Sequence, residues 1–421
     1  MGILAIGVDS LDTAFAGCTT HAASIAVLQL LREGFELADY PWLVRLNPAA
    51  PWKTRGNGAV ALLLYAETRS EAEKAASLAV RVARAYAAAR PGKASLHAIY
   101  LHEANSLDDY MRMRPRCLET LYWRALHELV APRLALTCLR EAQLRGQAEY
   151  IAGEGAGRRG AVGAIAALGY TPLGDYTFEL LAYRKPAYWA RRRNIDPESV
   201  IEFDIASRPE TFMNYDYELD TPLVAPHGYD PVLYGVRGEA PEAVHASLHA
   251  IDTGGEEPSH WMIYRSNQAT GHHLRPKTVK ATHPYDNPLL YLSLEERPRR
   301  LAGGHVVAKA RDHTGTIFVA AYREALHLRE ELLSMDVGGY FVAGGQAKQR
   351  GGLLTLNLEL LYVPGREPVG VFRRCGAVQP PLSRLHHLAV PYQRCGRPVG
   401  EKSLRSARRL LIPSPDEFTL E

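Results

Sequence analysis

Residues 43 to 66 read Leu43-Val-Arg-Leu-Asn-Pro-Ala-Ala-Pro-Trp-Lys-Thr-Arg-Gly-Asn-Gly-Ala-Val-Ala-Leu-Leu-Leu-Tyr-Ala66. The runs at 43–45 and 59–66 predict two strands, because short apolar runs are typical of buried strands. The segment 45–58 holds two prolines, which restrict the backbone, and two glycines, which let a ligand approach it closely. The pattern predicts a strand pair joined by a loop of specified shape.

On either side of this pair the chain alternates between strand and helix patterns. Residues 4–8 form an apolar run that ends at Asp9, which predicts a buried strand carrying a carboxylate at its carboxyl end. An amphipathic stretch at 21–32 and an alanine-rich stretch at 68–89 predict helices. This alternation predicts an α/β unit over residues 1–145.

A second unit, residues 146–285, contains a glycine-rich passage at 153–160. The pattern that follows predicts helix, strand, strand, strand, helix and strand, an order that suggests a ferredoxin-like sandwich. An arginine-rich stretch between the first two of these strands reads as a polar loop. The predicted elements span residues 161–168, 176–183, 222–225, 232–236, 241–250 and 261–265.

Residues 286–366 change to short alternating strands, predicted at 305–311, 316–322, 339–343 and 353–362, with one helix at 325–334. Four strands, the last long enough to bend into two, predict an OB-like barrel. The remaining residues, 367–421, are rich in Arg, Pro and Gly and have little core of their own. The predicted fold class is therefore α/β and α+β, in several domains.

The composition is that of an ordinary globular protein: 421 residues, 47% hydrophobic and 23% charged. No apolar run reaches the roughly 18 residues that span a bilayer. The first nine residues lack the basic start of a signal peptide. We therefore expect a cytoplasmic protein without a membrane partner; the sequence carries no indication of oligomeric state.

The balance of 49 basic and 46 acidic residues gives a net charge of only +3, which neither demands nor excludes a nucleic-acid partner. Arginines outnumber lysines and cluster, and guanidinium groups suit phosphate binding and stacking. A GC-rich genome or a thermophilic origin explains the same bias. The clusters are Arg191, Arg192 and Arg193, and Arg297, Arg299 and Arg300.

Five cysteines, at positions 18, 117, 138, 375 and 395, show no paired spacing, which argues against a secreted disulfide framework. Cys375 and Cys395 flank His386 and His387. A zinc ribbon requires Cys-x-x-Cys twice, whereas each half here keeps one cysteine. Zinc is therefore not expected, although two cysteines and the histidines could still form a tetrahedral site.

The segment Asp9-Ser-Leu-Asp12, followed by Gly17-Cys-Thr-Thr20, is a candidate nucleotide site. Carboxylate oxygens at Asp9 and Asp12 suit Mg²⁺. The hydroxyls and free N–H groups of Cys18, Thr19 and Thr20 at a helix start suit phosphate. A strand that ends in Asp and a threonine that caps a helix are also common structural features.

The loop 45–58 is the strongest candidate site. Lys53 and Arg55 alternate, so on an extended chain they project to one side, where they could neutralise a polyphosphate. A Walker loop is excluded, since its Gly-Lys-Ser/Thr order is absent. A solvated basic turn is the alternative. The other candidate nucleotide-binding residues of the loop are Asn47, Thr54, Gly56, Asn57 and Gly58.

Further polar residues lie where predicted strands end or helices begin. Arg158 and Arg159 precede a helix and could hold phosphate or an RNA backbone, although a mobile loop fits the same composition. Arg237 ends the strand pattern at 232–236, an edge where α/β proteins place sites. Each of these patterns is as compatible with structure as with binding.

Taken in order, these motifs resemble the archaeal tRNA(Ile) 2-agmatinylcytidine synthetases. That family opens with Gly-Ile-Asp-Asp-Thr-Asp-Ser and Cys-Thr-Thr, which match Gly7-Val-Asp-Ser-Leu-Asp-Thr13 and Cys18-Thr-Thr20 here. Its Arg-Leu-Asn-Pro…Pro-[Tyr/Trp]-Lys-Thr-Arg-Gly-Asn-Gly matches 45–58 almost unchanged, and this is the most specific correspondence. Later matches, in order along nearly the whole chain, are at 160–183, 231–238, 267–270 and 303–305.

The resemblance implies a kinase-like domain at 1–145, a ferredoxin-like domain at 146–285, an OB fold at 286–366 and a degenerate zinc ribbon at 367–421. It implies an ATP-dependent ligase that phosphorylates the C2 oxygen of the wobble cytidine (C34) in tRNA(Ile) with a CAU anticodon. Agmatine then displaces the phosphate. The implied partners are therefore ATP, Mg²⁺, agmatine and this tRNA.

The resemblance also implies residue roles. Asp9 and Asp12 become Mg²⁺ ligands, and Thr19 becomes a threonine that the family autophosphorylates. Lys53, Arg55 and Asn57 become ATP contacts. Agmatine needs a carboxylate or two and an apolar slot, for which the sequence offers Glu179 and Asp216.

Two departures from the family pattern leave rival functions open. Ser10 stands at the family's second Asp, which removes one candidate metal ligand, and half of the ribbon cysteines are missing. A diverged paralogue that binds tRNA or ATP without catalysis is one rival. An ATP-dependent RNA modifier that uses another amine is the other.

Overall fold

The structure is a computed structural model that describes residues 1–13, 17–90, 92–155, 158–172, 175–189, 191–217, 219–364, 369–370 and 410–414. The first part of the chain forms five strands and six helices. The strands are β1 Gly2–Asp9, β2 Trp42–Arg45, β3 Gly58–Ala66, β4 Ser95–His102 and β5 Glu149–Glu154. The helices are α1 Thr19–Arg32, α2 Arg69–Ala89, α3 Leu107–Met113, α4 Arg116–His127, α5 Pro132–Leu144 and α6 Gly160–Leu168.

Strand β1 lies at the centre of this unit and is covered on both faces. Leu4 and Ile6 face the core under α1 and α2, while Ile3 and Ala5 face the core formed with α4, α5 and α6. Burial on both sides explains why this strand is a continuous apolar run. At Gly7 an added Cβ would lie 1.8 Å from the carbonyl oxygen of Ala164, so α6 crosses β1 at backbone distance.

The second part of the chain builds a β-α-β-β-α-β arrangement. Its strands are β6 Thr177–Tyr183, β7 Thr211–Phe212, β10 Val232–Gly238 and β11 His260–Ser266, in the order β11-β6-β10-β7. A separate hairpin consists of β8 Tyr215–Asp216 and β9 Thr221–Pro222. Its helices are the 3₁₀ turn Pro186–Tyr188, α7 Pro197–Ser207, α8 Pro241–His245 and α9 Ser247–Ala250.

The two parts share one nine-stranded sheet, because β2 and β11 pair in parallel through Trp42–Arg265 and Leu43–Ser266. The side chain of Asn267 extends this pairing. It accepts from the Arg45 N–H at 2.7 Å and donates to the Arg45 carbonyl at 2.9 Å. The loop that follows β2 is therefore anchored to the second part of the chain.

The third part is a closed five-stranded, OB-like barrel of β13, β15, β16, β17 and β18, closed by pairing between β13 and β15. Helix α10 connects β16 to β17 and packs on the barrel core. The bounds are β12 Arg275–Pro276, β13 Pro288–Leu294, β14 Arg299–Arg300, β15 Val306–Asp312, β16 Gly315–Ala321, α10 Leu326–Leu333, β17 Tyr340–Arg350, β18 Leu353–Tyr362 and β19 Val369–Gly370.

The predicted alternation of strands and helices in the first part, and the barrel in the third, are confirmed, but several details were wrong. The fifth barrel strand is β13, not a bend in the last strand. Of the strand predicted at 222–225, only Pro222 lies in a strand, at the end of the β8–β9 hairpin. The edge strand of the large sheet next to β10 is β7 instead. The helix predicted at 241–250 is broken at Ala246, and α7 was not predicted. Helix α6 packs with the first part of the chain.

The cysteine prediction also needs correction. Cys117 in α4 and Cys138 in α5 form a disulfide, with their Cα atoms 5.7 Å apart. Their separation of 21 positions matches no paired spacing, because it is the packing of two helices that brings them together. Cys18 is a free, buried thiol. Cys375, Cys395, His386 and His387 lie outside the described residues, as does nearly all of the region 367–421.

Within the described ranges, no helix combines the length and apolar character needed to cross a membrane. A short C-terminal segment, residues 410–414, returns to the body of the protein. Leu410 packs against the cores of both the first and the second part, and the N–H of Leu411 donates to the Tyr40 hydroxyl at 3.0 Å. The segment is thus seated at the junction that the shared sheet creates.

Candidate functional site

A cleft of about 300 Å³ opens between the first and second parts of the chain. It brings together the end of β1, the start of α1, the loop 45–58 and the facing strands β6 and β10. The residues that line it include Asp9, Asp12, Cys18, Thr19, Thr20, Arg45, Lys53, Thr54, Arg55, Gly56, Asn57, Gly58, Arg159, Glu179, Asp230 and Arg237.

Asp9 lies at the end of β1, as the sequence predicted. Its Oδ1 accepts the N–H of Ser10 at 2.5 Å. Burial, with a smaller contribution from the neighbouring charge of Asp12, raises the pKa of Asp9 to about 8 against the opposing effect of the Ser10 hydrogen bond. Helix α6 closes over this carboxylate, since a Cβ at Gly163 would lie 1.9 Å from Oδ2. The ionised form of Asp9 therefore needs a cation nearby.

Thr19 is the first residue of α1, and its hydroxyl is oriented by two contacts. It donates to Oδ2 of Asp12 at 2.5 Å and accepts the N–H of Leu11 at 3.2 Å. The Asp12 carboxylate is thus bonded to a hydroxyl that could attack or receive a phosphoryl group. Burial raises the pKa of the adjacent Cys18 thiol to about 11, so the thiol stays protonated at neutral pH.

Arg55 crosses the cleft and connects two carboxylates from different parts of the chain. One Nη lies 2.7 Å from Oδ1 of Asp12 and also bonds the carbonyl of Gly17. The other Nη lies 2.9 Å from Oδ2 of Asp230. The guanidinium is therefore fixed where it faces the Thr19 turn.

A second ion-pair cluster forms the opposite wall. The buried Glu179 meets Arg45 at 2.9 Å and Arg237 at 3.4 Å. Burial opposes the charge of Glu179, yet the two arginines hold the pKa of this carboxyl below its usual range. Glu179 is thus ionised and fixes two cations at the cleft.

Lys53 lies on the rim, between the cleft and the barrel. Its ammonium bonds the carbonyl of Pro48. Burial and the nearby Lys348 lower the pKa of Lys53, while Glu359 opposes them. Asn57 takes a left-handed conformation with φ of 50° and donates to the Asn47 carbonyl at 2.8 Å.

The chain matches family models over much of its length. Residues 5–131 match the TiaS TCKD domain and residues 158–273 the TiaS FLD domain. The tRNA(Ile) 2-agmatinylcytidine synthetase TiaS of Hyperthermus butylicus is 47% identical over 405 residues, which cover 93% of this chain and 92% of that protein. The chain belongs to the TiaS family.

Other members are more distant but cover most of the chain. The TiaS of Methanocaldococcus jannaschii is 34% identical, over 86% of this chain and 82% of its own. A crystal structure of apo TiaS has a TM-score of 0.73 and 26% identity, covering 86% of this chain and 80% of that one. A crystal structure of TiaS in complex with its isoleucine tRNA, AMPCPP and agmatine has a TM-score of 0.72 and 25% identity, covering 87% and 84%.

Within this TiaS family member, three of the predicted site residues lie away from the cleft lining. Asn47 is buried. Its side-chain N–H donates to the Tyr285 carbonyl at 2.9 Å, and its side-chain oxygen accepts from Asn287 at 2.8 Å, both in the region before β13. Arg158 is exposed and does not line the cleft, whereas Arg159 lines it and stacks over Trp52 at 4.7 Å. Asp216 lies in the β8–β9 hairpin.

Asp230 was not among the site residues predicted from the sequence. It is buried, pairs with Arg55 and with Arg193 at 2.9 and 3.1 Å, and accepts the N–H of Val232 at 3.0 Å. The only signal was its place just before the strand pattern at 232–236. Arg193, from the arginine cluster, is used here for structure, since it also bonds the carbonyl of Val232 at 2.8 Å.

The carboxylates of the cleft can be compared with the needs of a metal ion. Among the described residues no group of three or more His, Cys, Asp or Glu side chains could hold a metal. Asp9 and Asp12 offer two carboxylates, and Mg²⁺ accepts one or two together with phosphate oxygens and water. The buried carboxylate of Asp9, with its raised pKa, fits such an ion arriving with a nucleotide.

Proposed function

We propose that this chain uses ATP to join agmatine to C2 of the wobble cytidine of tRNA(Ile) with a CAU anticodon, through a cytidine phosphorylated on its C2 oxygen. Family membership supports this, as does the complex of a related TiaS with its isoleucine tRNA, AMPCPP and agmatine. The observation that carries it for this chain is one cleft joining Asp12, Thr19 and Arg55.

Phosphorylation converts a poor leaving group into a good one. The ring C2 oxygen leaves as phosphate when the primary amine of agmatine attacks C2; the C–O bond breaks as the C–N bond forms, and the amine loses a proton. Charge that develops during phosphoryl transfer needs fixed cations. We assign this role to Arg55 and Lys53.

Thr19 is proposed as a site of autophosphorylation, distinct from the C2 oxygen of the cytidine, and Asp12 as its base. The 2.5 Å hydrogen bond from the Thr19 hydroxyl to Asp12 places a proton acceptor on the hydroxyl that would be phosphorylated. Cys18, Thr20, Thr54, Gly56, Asn57 and Gly58 line the same cleft as nucleotide contacts. Mg²⁺, held by Asp9 and Asp12, would neutralise phosphate charge when bound.

For the amine, the cleft offers apolar walls from Leu181, Leu223 and Val224. Glu179 is the predicted carboxylate that lines it, but it already serves two arginines. We propose that the cationic end of agmatine meets Glu179 in place of Arg237, whose contact at 3.4 Å is the longer one. Asp216 is not a lining residue, and a role for it would require movement of its hairpin.

The domain assignment follows the same proposal. We propose a kinase-like ATP domain at 1–145, a ferredoxin-like domain at 146–285, an OB-fold domain at 286–366 and a degenerate zinc-ribbon-like region at 367–421. Strand β5 and helix α6, although they follow residue 145, pack with the first of these domains. The β-α-β-β-α-β order and the closed barrel support the middle two. We place the enzyme in the cytoplasm, the compartment of its tRNA.

The decisive experiment is nucleoside mass spectrometry of this isoleucine tRNA after incubation with the protein, ATP and isotope-labelled agmatine. Label on the nucleoside from position 34, dependent on ATP, is the expected result. Asp12→Asn, which removes the proposed base, is the negative control. Tight tRNA binding with no labelled nucleoside would instead favour the non-catalytic paralogue, the alternative that Ser10 raises, and label from a different amine would redefine the substrate.

A further inference from the structure

A larger cavity, of about 740 Å³, lies behind the start of α1 and shares no lining residue with the cleft. It is bounded by α1, α2 and the loop after β6. Its apolar lining residues include Ile25, Leu78, Val82 and Pro186. Arg81, Arg90, Lys185 and Trp189 line it as well.

Arg90 is the central feature of this cavity. Its guanidinium lies over the ring of Tyr86 at 4.2 Å and over the ring of Trp189 at 4.4 Å. Its Nε is buried and has no hydrogen-bond partner among the described residues. Contact with two rings fixes the plane of the guanidinium, and a guanidinium held in this way suits a phosphate oxygen at its terminal N–H groups.

The charge around the cavity is positive. Lys185 has an exposed carboxylate partner, Glu257, at 3.4 Å. Arg184 is neutralised by a two-point contact with Glu256 at 2.6 Å. Arg81 is exposed and has no ion-pair partner within the part of the chain that the structure describes. Arg81 and Arg90 are therefore the cations not committed to a carboxylate.

Arg191 and Arg192 follow closely after Trp189; unlike Arg193, the third member of their cluster, they do not contact a described residue of the cleft. The Arg191 guanidinium is exposed and lies 5.4 Å from the ring of Tyr188. Cations interleaved with aromatic rings are typical of surfaces that bind single-stranded RNA, where an unstacked base packs on apolar or aromatic groups and phosphates meet arginines.

We propose that this cavity binds a nucleotide of the tRNA other than the reacting one, with its phosphate on Arg90 and Arg81 and its base against the apolar wall. The inference rests on the proposed function, which makes an RNA the substrate. The two sites are close to each other along α1: Thr20 lines the cleft, and His21, the next residue, lines the cavity.

The test measures tRNA binding without ATP or agmatine, so it is independent of catalysis. Arg90→Gln and Arg81→Gln should each weaken tRNA binding roughly three- to tenfold and lower the slope of log K against log salt by about 0.7 to 1. Arg84→Gln is the matched control, because Arg84 lies on the same helix but pairs with Glu154 at 2.7 Å and is not a lining residue.

Arg81 is exposed, so its variant tests the idea even if Arg90→Gln fails to fold. Equal effects of Arg84→Gln and Arg81→Gln would overturn the proposal in favour of a diffuse basic face, and so would no effect of Arg81→Gln. A second measurement follows the part of the tryptophan fluorescence that is lost in a Trp189→Phe variant. Saturation of this signal by CMP or inorganic phosphate as readily as by tRNA would show a site for a free anion instead.

Discussion

The hydroxyl of Tyr264 in β11 donates to the carbonyl oxygen of Thr20 at 2.8 Å, so the second part of the chain holds the first turn of α1. On the other side of that turn, the Tyr86 hydroxyl accepts the N–H of Cys18 at 3.2 Å. Thr19, the proposed phosphoryl acceptor, therefore sits between two backbone groups that are each fixed by a tyrosine.

Tyr264→Phe is expected to lower kcat about fivefold, because it removes the hydrogen bond that holds the Thr19 turn, worth about 1 kcal/mol, together with the hydroxyl contact to Tyr183 at 2.9 Å. The KM for tRNA should not change. Steady-state kinetics at saturating ATP and agmatine measure both. Tyr234→Phe is the matched control, since this buried tyrosine donates to the Ser247 carbonyl, away from the cleft. An equal loss in both variants would reduce the role of Tyr264 to general stability.

Arg55→Ala should reduce the rate of agmatine incorporation by roughly 100- to 1000-fold, since it removes a fixed cation from the proposed transition state. Binding of tRNA, followed by gel shift, should hardly move. Arg158→Ala, a change at an exposed arginine outside the cleft, is the control. If Arg55→Ala weakened tRNA binding as much as it slowed turnover, the loop 45–58 would act in RNA binding and not in phosphoryl transfer.

Asp9→Asn or Asp12→Asn is expected to abolish ATP consumption while tRNA affinity stays near that of the wild type, because two carboxylates must hold the metal. Ser10→Asp should lower the Mg²⁺ concentration needed for half-maximal activity. Ser10 has φ of 67°, a conformation that Asp tolerates better than most residues. Wild-type protein without ATP turnover at any Mg²⁺ concentration, unrescued by Ser10→Asp, would contradict catalysis.

We expect low pH to decrease the free energy of unfolding, because two buried histidines lie at the junction of the first and second parts of the chain. His21 bonds the Tyr86 hydroxyl at 3.0 Å and His260 bonds Ser24 at 2.8 Å. Burial, with smaller contributions from His260 and Arg90, holds the pKa of His21 well below 6.5, and burial lowers the pKa of His260 to about 3.

Both histidines thus stay neutral when folded but can protonate when unfolded. Their contribution to stability is complete above pH 6.5 and is lost as the pH falls below it, by about 1.4 kcal/mol per pH unit for each. Guanidinium unfolding at several pH values measures this. His260→Asn should flatten the pH dependence, while His249→Asn, at an exposed position, should not. Parallel profiles for both would contradict the assignment.

Much of the cleft could be predicted because its chemistry is local in sequence. The alternation of Lys53 and Arg55, and a carboxylate at the end of a buried strand, are visible in a few residues. Asp230 was missed because nothing in its neighbours reveals that Arg55 lies 2.9 Å away. The β2–β11 pairing was invisible for the same reason, since its partners are more than two hundred positions apart.

Two further features could not be read from the sequence. Strand β13 was overlooked, although residues 290–292 alternate between buried and exposed, because Pro288 and the polar residues before it are typical of a loop. Glu179 was predicted as a ligand for a cationic amine, and the structure shows it already holding Arg45 and Arg237. A buried carboxylate in a strand indicates a cationic partner, but the sequence does not show whether that partner is an arginine of the protein or a ligand.

The sheet that runs unbroken from the first part of the chain into the second limits how the enzyme can open. Hinge motion between the two would have to break the β2–β11 ladder, both amide contacts of Asn267 to Arg45, and the two-point pairing of Arg265 with Asp39 at 2.7 and 2.8 Å. The two walls are therefore bonded to each other along a continuous ladder, and we expect ATP and the displaced nucleotide to enter the cleft without hinge motion between them.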